Sequence, residues 1–189
     1  MGAPIVVLDA CVLDPAALRD LFMRLAVAGL IQARWTALIH KEWIEAVLED
    51  RADLKREDLE RTRRLMDHHA EGCLVRDFEP HIGSFGLPDP DDEHVLAAAV
   101  VSGADSIVTW NGRDFPAEIL GPLGIAVVTP DEMAASLLKD RPEEVCAAVR
   151  ETRLSLKNPP KSIVEYLEVL TARGLKKTSA LLASFHRDL

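Results

Sequence analysis

Apolar residues follow two rhythms along this chain, and the change from one to the other outlines its architecture. Ile5-Val6-Val7-Leu8 is an unbroken apolar run ended by Asp9, the pattern of a strand buried on both faces. Between Pro15 and Leu30 the spacing becomes helical, with Leu18, Leu21, Phe22 and Leu25 on one stripe and Gly29 as a stop. Ile31 and Ala33 suggest a short strand, and Thr36 can cap a helix that runs through Ile39, Trp43, Val47 and Leu48 and carries Glu42. Lys55 to Ala70 is charged, with Leu59, Leu65 and Met66 as a sparse stripe, and predicts an exposed helix. Leu74-Val75 reads as another brief strand.

The glycines and prolines between Gly83 and Pro90 mark a loop. Asp89 then suits an N-cap, Pro90 the first helical position, and Asp92 the third, from which a carboxylate can reach back toward the cap. Val95 to Val101 is the buried body of that helix, and Ser106 to Thr109 and Ala126 to Val128 are strands. This alternation predicts a three-layer α/β/α fold around a mostly parallel central sheet. Beyond Pro130 only helical spacing remains, at Asp131 to Lys139, Pro142 to Leu154, Ile163 to Arg173 and Thr178 to His186, with Asn158-Pro159-Pro160 as a rigid corner. The chain therefore divides into a core of residues 1–129 and an extension of C-terminal helices, residues 130–189.

Composition narrows the chemistry. A 189-residue chain that is 48% apolar can bury its own core. Its 31 acidic and 22 basic side chains give a net charge of −9, which argues against holding nucleic acid by general positive charge. Phosphate chemistry on such a chain needs a cation. Cys11, Cys73 and Cys146 are odd in number, scattered and without a CxxC pair, so neither a disulfide framework nor a thiolate zinc site is expected, and a reducing cytoplasm is the simplest location. The longest apolar runs fall short of the roughly 20 residues of a membrane span, and no charged-then-apolar leader precedes the first strand. A soluble protein that is not exported is expected.

In a parallel sheet, ligands gather at the carboxyl ends of the strands. Asp9 ends the first strand, and Asp114 follows Thr109 by five residues, just past another strand end. Asp92 begins a helix, and Glu42 lies on a helix that can face the same edge. Each has a plainer explanation: Asp9 and Asp114 as turn residues, Glu42 as surface, Asp89, Asp91 and Asp92 as acids favoured by a helix dipole. It is their joint placement that suggests a site. Clustered carboxylates repel and raise one another's pKa, a conflict that a divalent cation removes. Oxygen ligands without cysteine suit Mg²⁺ or Mn²⁺ better than zinc, and such cations activate water and stabilise charge on a phosphate oxygen.

Four blocks carry a resemblance: Val-Leu-Asp-Ala-Cys-Val-Leu at 7–13, Arg-Trp-Thr at 34–36 leading to Glu42, Leu-Pro-Asp-Pro-Asp-Asp-Glu-His-Val-Leu-Ala-Ala-Ala at 87–99, and Ile-Val-Thr-Trp-Asn-Gly-Arg-Asp-Phe-Pro at 107–116. Together they resemble the PIN-domain nucleases, in particular the VapC-like toxins of bacterial toxin–antitoxin pairs, over about the first two-thirds of the chain. The resemblance implies a PIN-like fold and a metal-dependent endoribonuclease that leaves a 5′-phosphate. It implies Asp9 and Asp92 as principal metal ligands, with Glu42 and Asp114 completing the acidic site. Asn111 or Thr109 would position the strand end, with Asp89 the rival of Asp92. Cys11 departs from the Asn or Ser of many relatives, which puts a polar contact in doubt. An antitoxin protein and a homodimer are the implied partners beside RNA.

His94 and Arg113 are weaker candidates for substrate contact. The basic run Lys55, Arg56, Arg61, Arg63 and Arg64 reads first as a solvated face. Trp35, Trp43 and Trp110 read as core or edge packing in preference to base stacking. The stripe Ile163, Tyr166, Leu167 and Leu170 reads as packing on the core or on a twin subunit. Two other functions fit the pattern: a catalytically silent protein-binding module and a metal-dependent DNA nuclease.

Overall fold

The computed structural model describes residues 2–185 and residue 189. Its element order is β1 (Ile5–Leu8), α1 (Ala10–Leu13), α2 (Ala16–Val27), β2 (Gln32–Arg34), α3 (Ala37–Asp50), α4 (Arg56–His69), α5 (Glu93–Ser102), β3 (Ser106–Val108), α6 (Ala117–Leu120), β4 (Ala126–Val128), α7 (Pro130–Asp140), α8 (Pro142–Ser155), α9 (Ile163–Ala172) and α10 (Lys176–Leu182). The strands form one wholly parallel sheet in the order β2-β1-β3-β4. This is the expected three-layer α/β/α architecture. Val6, Val7, Leu8, Ile107 and Val108 have no exposed surface, because helices cover both faces of the two inner strands. The chain leaves β1 toward β2 on one side and returns through β3 on the other, so a crevice opens at the carboxyl ends of β1 and β3.

Several local expectations need correction. The first helix begins at Ala16 and ends at Val27, short of Leu30, with Ala28 as its C-cap and Gly29 left-handed at φ 68°. A separate single turn, α1, precedes it, nucleated by the Asp9 carboxylate on the Ala10 N–H. Leu74-Val75 forms only an isolated bridge to Trp35. That ladder cannot lengthen, because Thr36 turns the chain into α3 by accepting a hydrogen bond from the Ile39 N–H. On α4, Leu59 and Met66 are buried but Leu65 is 49% exposed, since one residue is about 100° of helix. The last helix ends at Leu182 and tightens into a 3-10 turn, Ala183–Phe185; His186, to which it was expected to run, lies outside the described residues. Among the described residues no helix is long and apolar enough to cross a membrane.

The helices after Pro130 pack on the α/β layers and on one another. α8 lies on α2, α7 contacts α8 and α10, and α9 touches both α2 and α10. Tyr166 and Leu170 of the α9 stripe are fully buried, so this face is spent within the chain. A polar clamp adds direction. The buried Asp131 carboxylate accepts the Lys177 N–H at 2.9 Å, the Thr178 N–H at 2.8 Å and the Thr178 hydroxyl at 2.8 Å, which holds α10 to the start of α7.

Replacing that carboxylate strands buried donors, and hydrogen bonds to a charged acceptor are among the strong ones. Asp131→Ala is expected to cost about 3 kcal/mol of stability, measured from urea midpoints at unchanged slope.

Candidate metal centre

Asp9 sits where β1 gives way to α1, and its carboxylate is surrounded by donors. Oδ1 accepts the Ala10 N–H at 2.6 Å, while Oδ2 accepts the Thr109 hydroxyl at 2.6 Å and the Cys11 thiol at 3.1 Å. Thr109 continues β3, with its N–H on the Val128 carbonyl, and its hydroxyl oxygen accepts the Asn111 N–H at 2.9 Å. The strand ends are thus tied together by the Thr109 side chain, with Asn111 contributing its backbone. The doubt over Cys11 is removed: the thiol makes the polar contact to Asp9 itself. Burial, and then the Asp9 charge, push this thiol up to about 12, which suits its role as a hydrogen-bond donor to Asp9.

Asp92 is placed differently. Asp89 caps a 3-10 turn, Pro90–Asp92, by accepting the Asp91 N–H, and α5 starts only at Glu93. The Asp92 carboxylate makes no capping bond, contrary to the expectation that it would reach back. Burial, followed by the charges of Asp9, Asp114 and Asp89, raises its pKa from 3.8 to about 7, opposed by His94. Asp89 itself is exposed, and Asp114 is half-buried on the turn after β3.

Glu42 reaches the same place from α3. That helix is fixed by a buried chain in which Trp43 Nε1 donates to His40 Nδ1 at 2.8 Å, and His40 Nε2 and Trp35 Nε1 both meet Asp67 Oδ1. Burial lowers the His40 pKa, which suits a neutral ring accepting at Nδ1 and donating at Nε2. Glu42 Oε1 lies 2.7 Å from His94 Nε2, while the buried His94 Nδ1 has no hydrogen-bond partner. His94 is therefore bound to an acid of the site, and Arg113 is exposed on the neighbouring turn.

Asp9, Glu42 and Asp92 line one open pocket of about 310 Å³, together with Asp14, Asp91 and Asn111. Asp114 stands outside this lining and acts on Asp92 through its charge. A larger cavity of about 780 Å³ lies on α8 and contains none of these acids. Among the described residues no group of three or more His, Cys, Asp and Glu side chains is placed to hold a metal ion together. The donors nonetheless fit a hydrated hard cation, which keeps several waters and needs only one or two carboxylates. The placing of Asp9, Glu42 and Asp92 on one pocket, where burial and then the charges of neighbouring acids disfavour the Asp92 carboxylate, is the observation that favours such a fit.

A PIN domain model matches residues 5–113. The chain belongs to the PIN-domain family. A second model, the VapC50 C-terminal domain, matches residues 130–184, so the pair of matches is that of a VapC-like PIN nuclease with a C-terminal extension. Comparison with curated proteins and with solved structures returned no match. The PIN match spans Asp9, Glu42 and Asp92 and stops one residue before Asp114. PIN domains generally depend on a divalent metal.

One important residue of this PIN domain escaped the sequence reading. Glu93 is buried, and its carboxylate accepts the N–H groups of Gly83, Phe85 and Leu87. Burial pushes this carboxyl up, but backbone donors at Leu87, Phe85, Gly86 and Gly83 outweigh it and hold it below the usual range. Glu93 thereby pins the loop that leads into Asp92. A charged residue opening an otherwise apolar helix was the available signal, masked by the acids before it.

Because the folded pKa of Asp92 lies above its unfolded value, its contribution to stability is present below about pH 4 and is lost as pH rises through about 7. Asp92→Asn in chelator should match the parent near pH 4 and exceed it by about 1 kcal/mol at pH 8, after discounting for solvent screening. Denaturant midpoints across this range give the comparison.

Proposed function

We propose that this PIN-domain protein is a Mg²⁺- or Mn²⁺-dependent endoribonuclease, the toxin of a VapBC-type pair, acting in the cytoplasm and restrained by a cognate antitoxin protein. The observation that carries the reading is the convergence of Asp9, Glu42 and Asp92 on one pocket, where burial and then the neighbouring acids raise the pKa of Asp92. Asp9 and Asp92 would hold the cation, with Glu42 and Asp114 completing the acidic site. When bound, the cation supplies charge to the phosphate and activates the attacking water. Residues 1–129 form the catalytic core in this reading, residues 130–189 the extension, and the active species is a homodimer.

The remaining roles follow from the contacts. Thr109 and Cys11 orient Asp9 so that one face of its carboxylate is fixed toward the pocket. His94 holds Glu42 in the same way. Asn111 steadies Thr109 through its N–H, Asp89 shapes the turn that presents Asp92, and Arg113 is available to a phosphate beside the pocket.

Purified protein with Mn²⁺ should cut total cellular RNA into discrete fragments. Asp9→Asn and Asp92→Asn should lose at least a hundredfold of that rate, and chelator should abolish it. If none of the three proteins cuts RNA with metal present, the ribonuclease reading fails; cutting confined to DNA substrates would reassign the substrate. Thr109→Val, which removes the hydroxyl on Asp9 and little volume, should lower metal affinity or rate by about 10- to 100-fold, measured by Mn²⁺ titration beside the cleavage assay.

A further inference from the structure

Of the three tryptophans, Trp35 and Trp43 are completely enclosed, whereas Trp110 is 37% exposed. It follows Thr109 directly and therefore stands at the sheet edge that carries Asp9. Its N–H donates to Cys11 Sγ at 3.4 Å, and that sulfur donates to Asp9 Oδ2 at 3.1 Å. The indole is also seated. Gly174, in the turn between α9 and α10, faces its six-membered ring, and a Cβ at that position would lie 2.7 Å from Cη2 and 3.0 Å from Cζ2. Only glycine leaves this room, and the φ of 95° there also disfavours any other residue.

The adjacent Arg173 acts on Asp14, which lines the acidic pocket, so this turn of the extension lies at the rim of the site. An indole backed by main chain and partly open to solvent is suited to stack on a planar group. Nucleic-acid bases meet that requirement whatever their sequence, provided they are unpaired, because a base within a duplex is already stacked on its neighbours.

We propose that Trp110, seated on Gly174, stacks on an unpaired base next to the scissile phosphate, so that the C-terminal extension completes the substrate site of the PIN core. The assignment rests on the ribonuclease reading above. Arg173 supplies positive charge beside this platform, where the strand carrying the base enters an otherwise acidic pocket.

The probe is a short, mixed-sequence single-stranded RNA with a fluorescent 3′ end, added to the full chain with Ca²⁺ in place of Mg²⁺. Anisotropy reports binding and tryptophan emission reports stacking, since the other two indoles are enclosed. Single-stranded RNA should quench the emission, and the same sequence as a blunt duplex should not. Trp110→Leu should raise both Kd and KM about tenfold with kcat changed less than about threefold, and Trp110→Phe should recover binding to within about threefold of the parent.

Binding without quenching, or parental affinity in a Trp110→Leu variant that melts at the parental temperature, overturns the proposal. Should Trp110→Leu fail to fold, quenching of the parent and the affinity of Trp110→Phe decide it. A parent that neither binds nor cuts RNA refutes the ribonuclease reading and this assignment with it. A parent that cuts RNA without quenching refutes this assignment alone.

Discussion

The hydrogen bond from Thr109 to Asp9 joins the two strands on which the rest of the site depends. Both strands are apolar on both faces, so they must lie at the centre of the sheet, and their last residues must emerge into the crevice between them. A carboxylate that emerges there needs donors. The Ala10 N–H, the Thr109 hydroxyl and the Cys11 thiol supply them from three directions. The Ala10 donor also starts α1, so the contact that orients Asp9 turns the chain toward α2 and sets where the first helical layer begins.

The other acids are placed by different means, and the difference matters chemically. Glu42 is presented by a helix that a tryptophan–histidine–aspartate chain fixes in the core, and His94 meets its carboxylate. Asp92 is presented by a turn whose approach is held by Glu93, and its own carboxylate takes no capping donor. Of the acids around the pocket, Asp92 is the one whose pKa is driven up to about 7 by burial and by the charges of Asp9, Asp114 and Asp89. Three donors thus orient the Asp9 carboxylate directly, while the Asp92 carboxylate takes no capping donor and is placed by the turn alone.

The layers were legible because their signals are strong and local. Ile5 to Leu8 could hardly be other than a buried strand, and the body of α5 is apolar around its whole circumference, as a buried helix is. What was not legible depends on partners distant in sequence. Leu74-Val75 has strand composition, but its bridge partner, Trp35, is about to enter α3. Leu65 looks like part of a stripe until the neighbouring helix fixes the face. The candidate acids could be named from their positions after strands and at a helix start, but how each is held could not. Cys11 seemed a loss of polarity and is a donor; Glu93 seemed one more acid in a run and is buried on backbone amides. Both depend on loop geometry that spacing alone does not encode.

The charge of the chain bears on how a polyanion could be accommodated at all. At −9 overall, with acids around the pocket, long-range electrostatics repel an RNA backbone, and the basic residues of α4 belong to a helix apart from the pocket lining. On the ribonuclease reading proposed above, substrate attraction must then be local and of short range, from a cation at the acids and from contacts that do not depend on charge. An indole on a glycine shelf meets the second requirement, because stacking does not weaken with the net charge of the protein. It also gives the extension a reason to touch the sheet edge beside Asp9: the core supplies the Trp110 indole, and Gly174 of the extension supplies the surface that backs it. On this argument, the helices after Pro130 belong to the recognition apparatus as much as to the packing of α2.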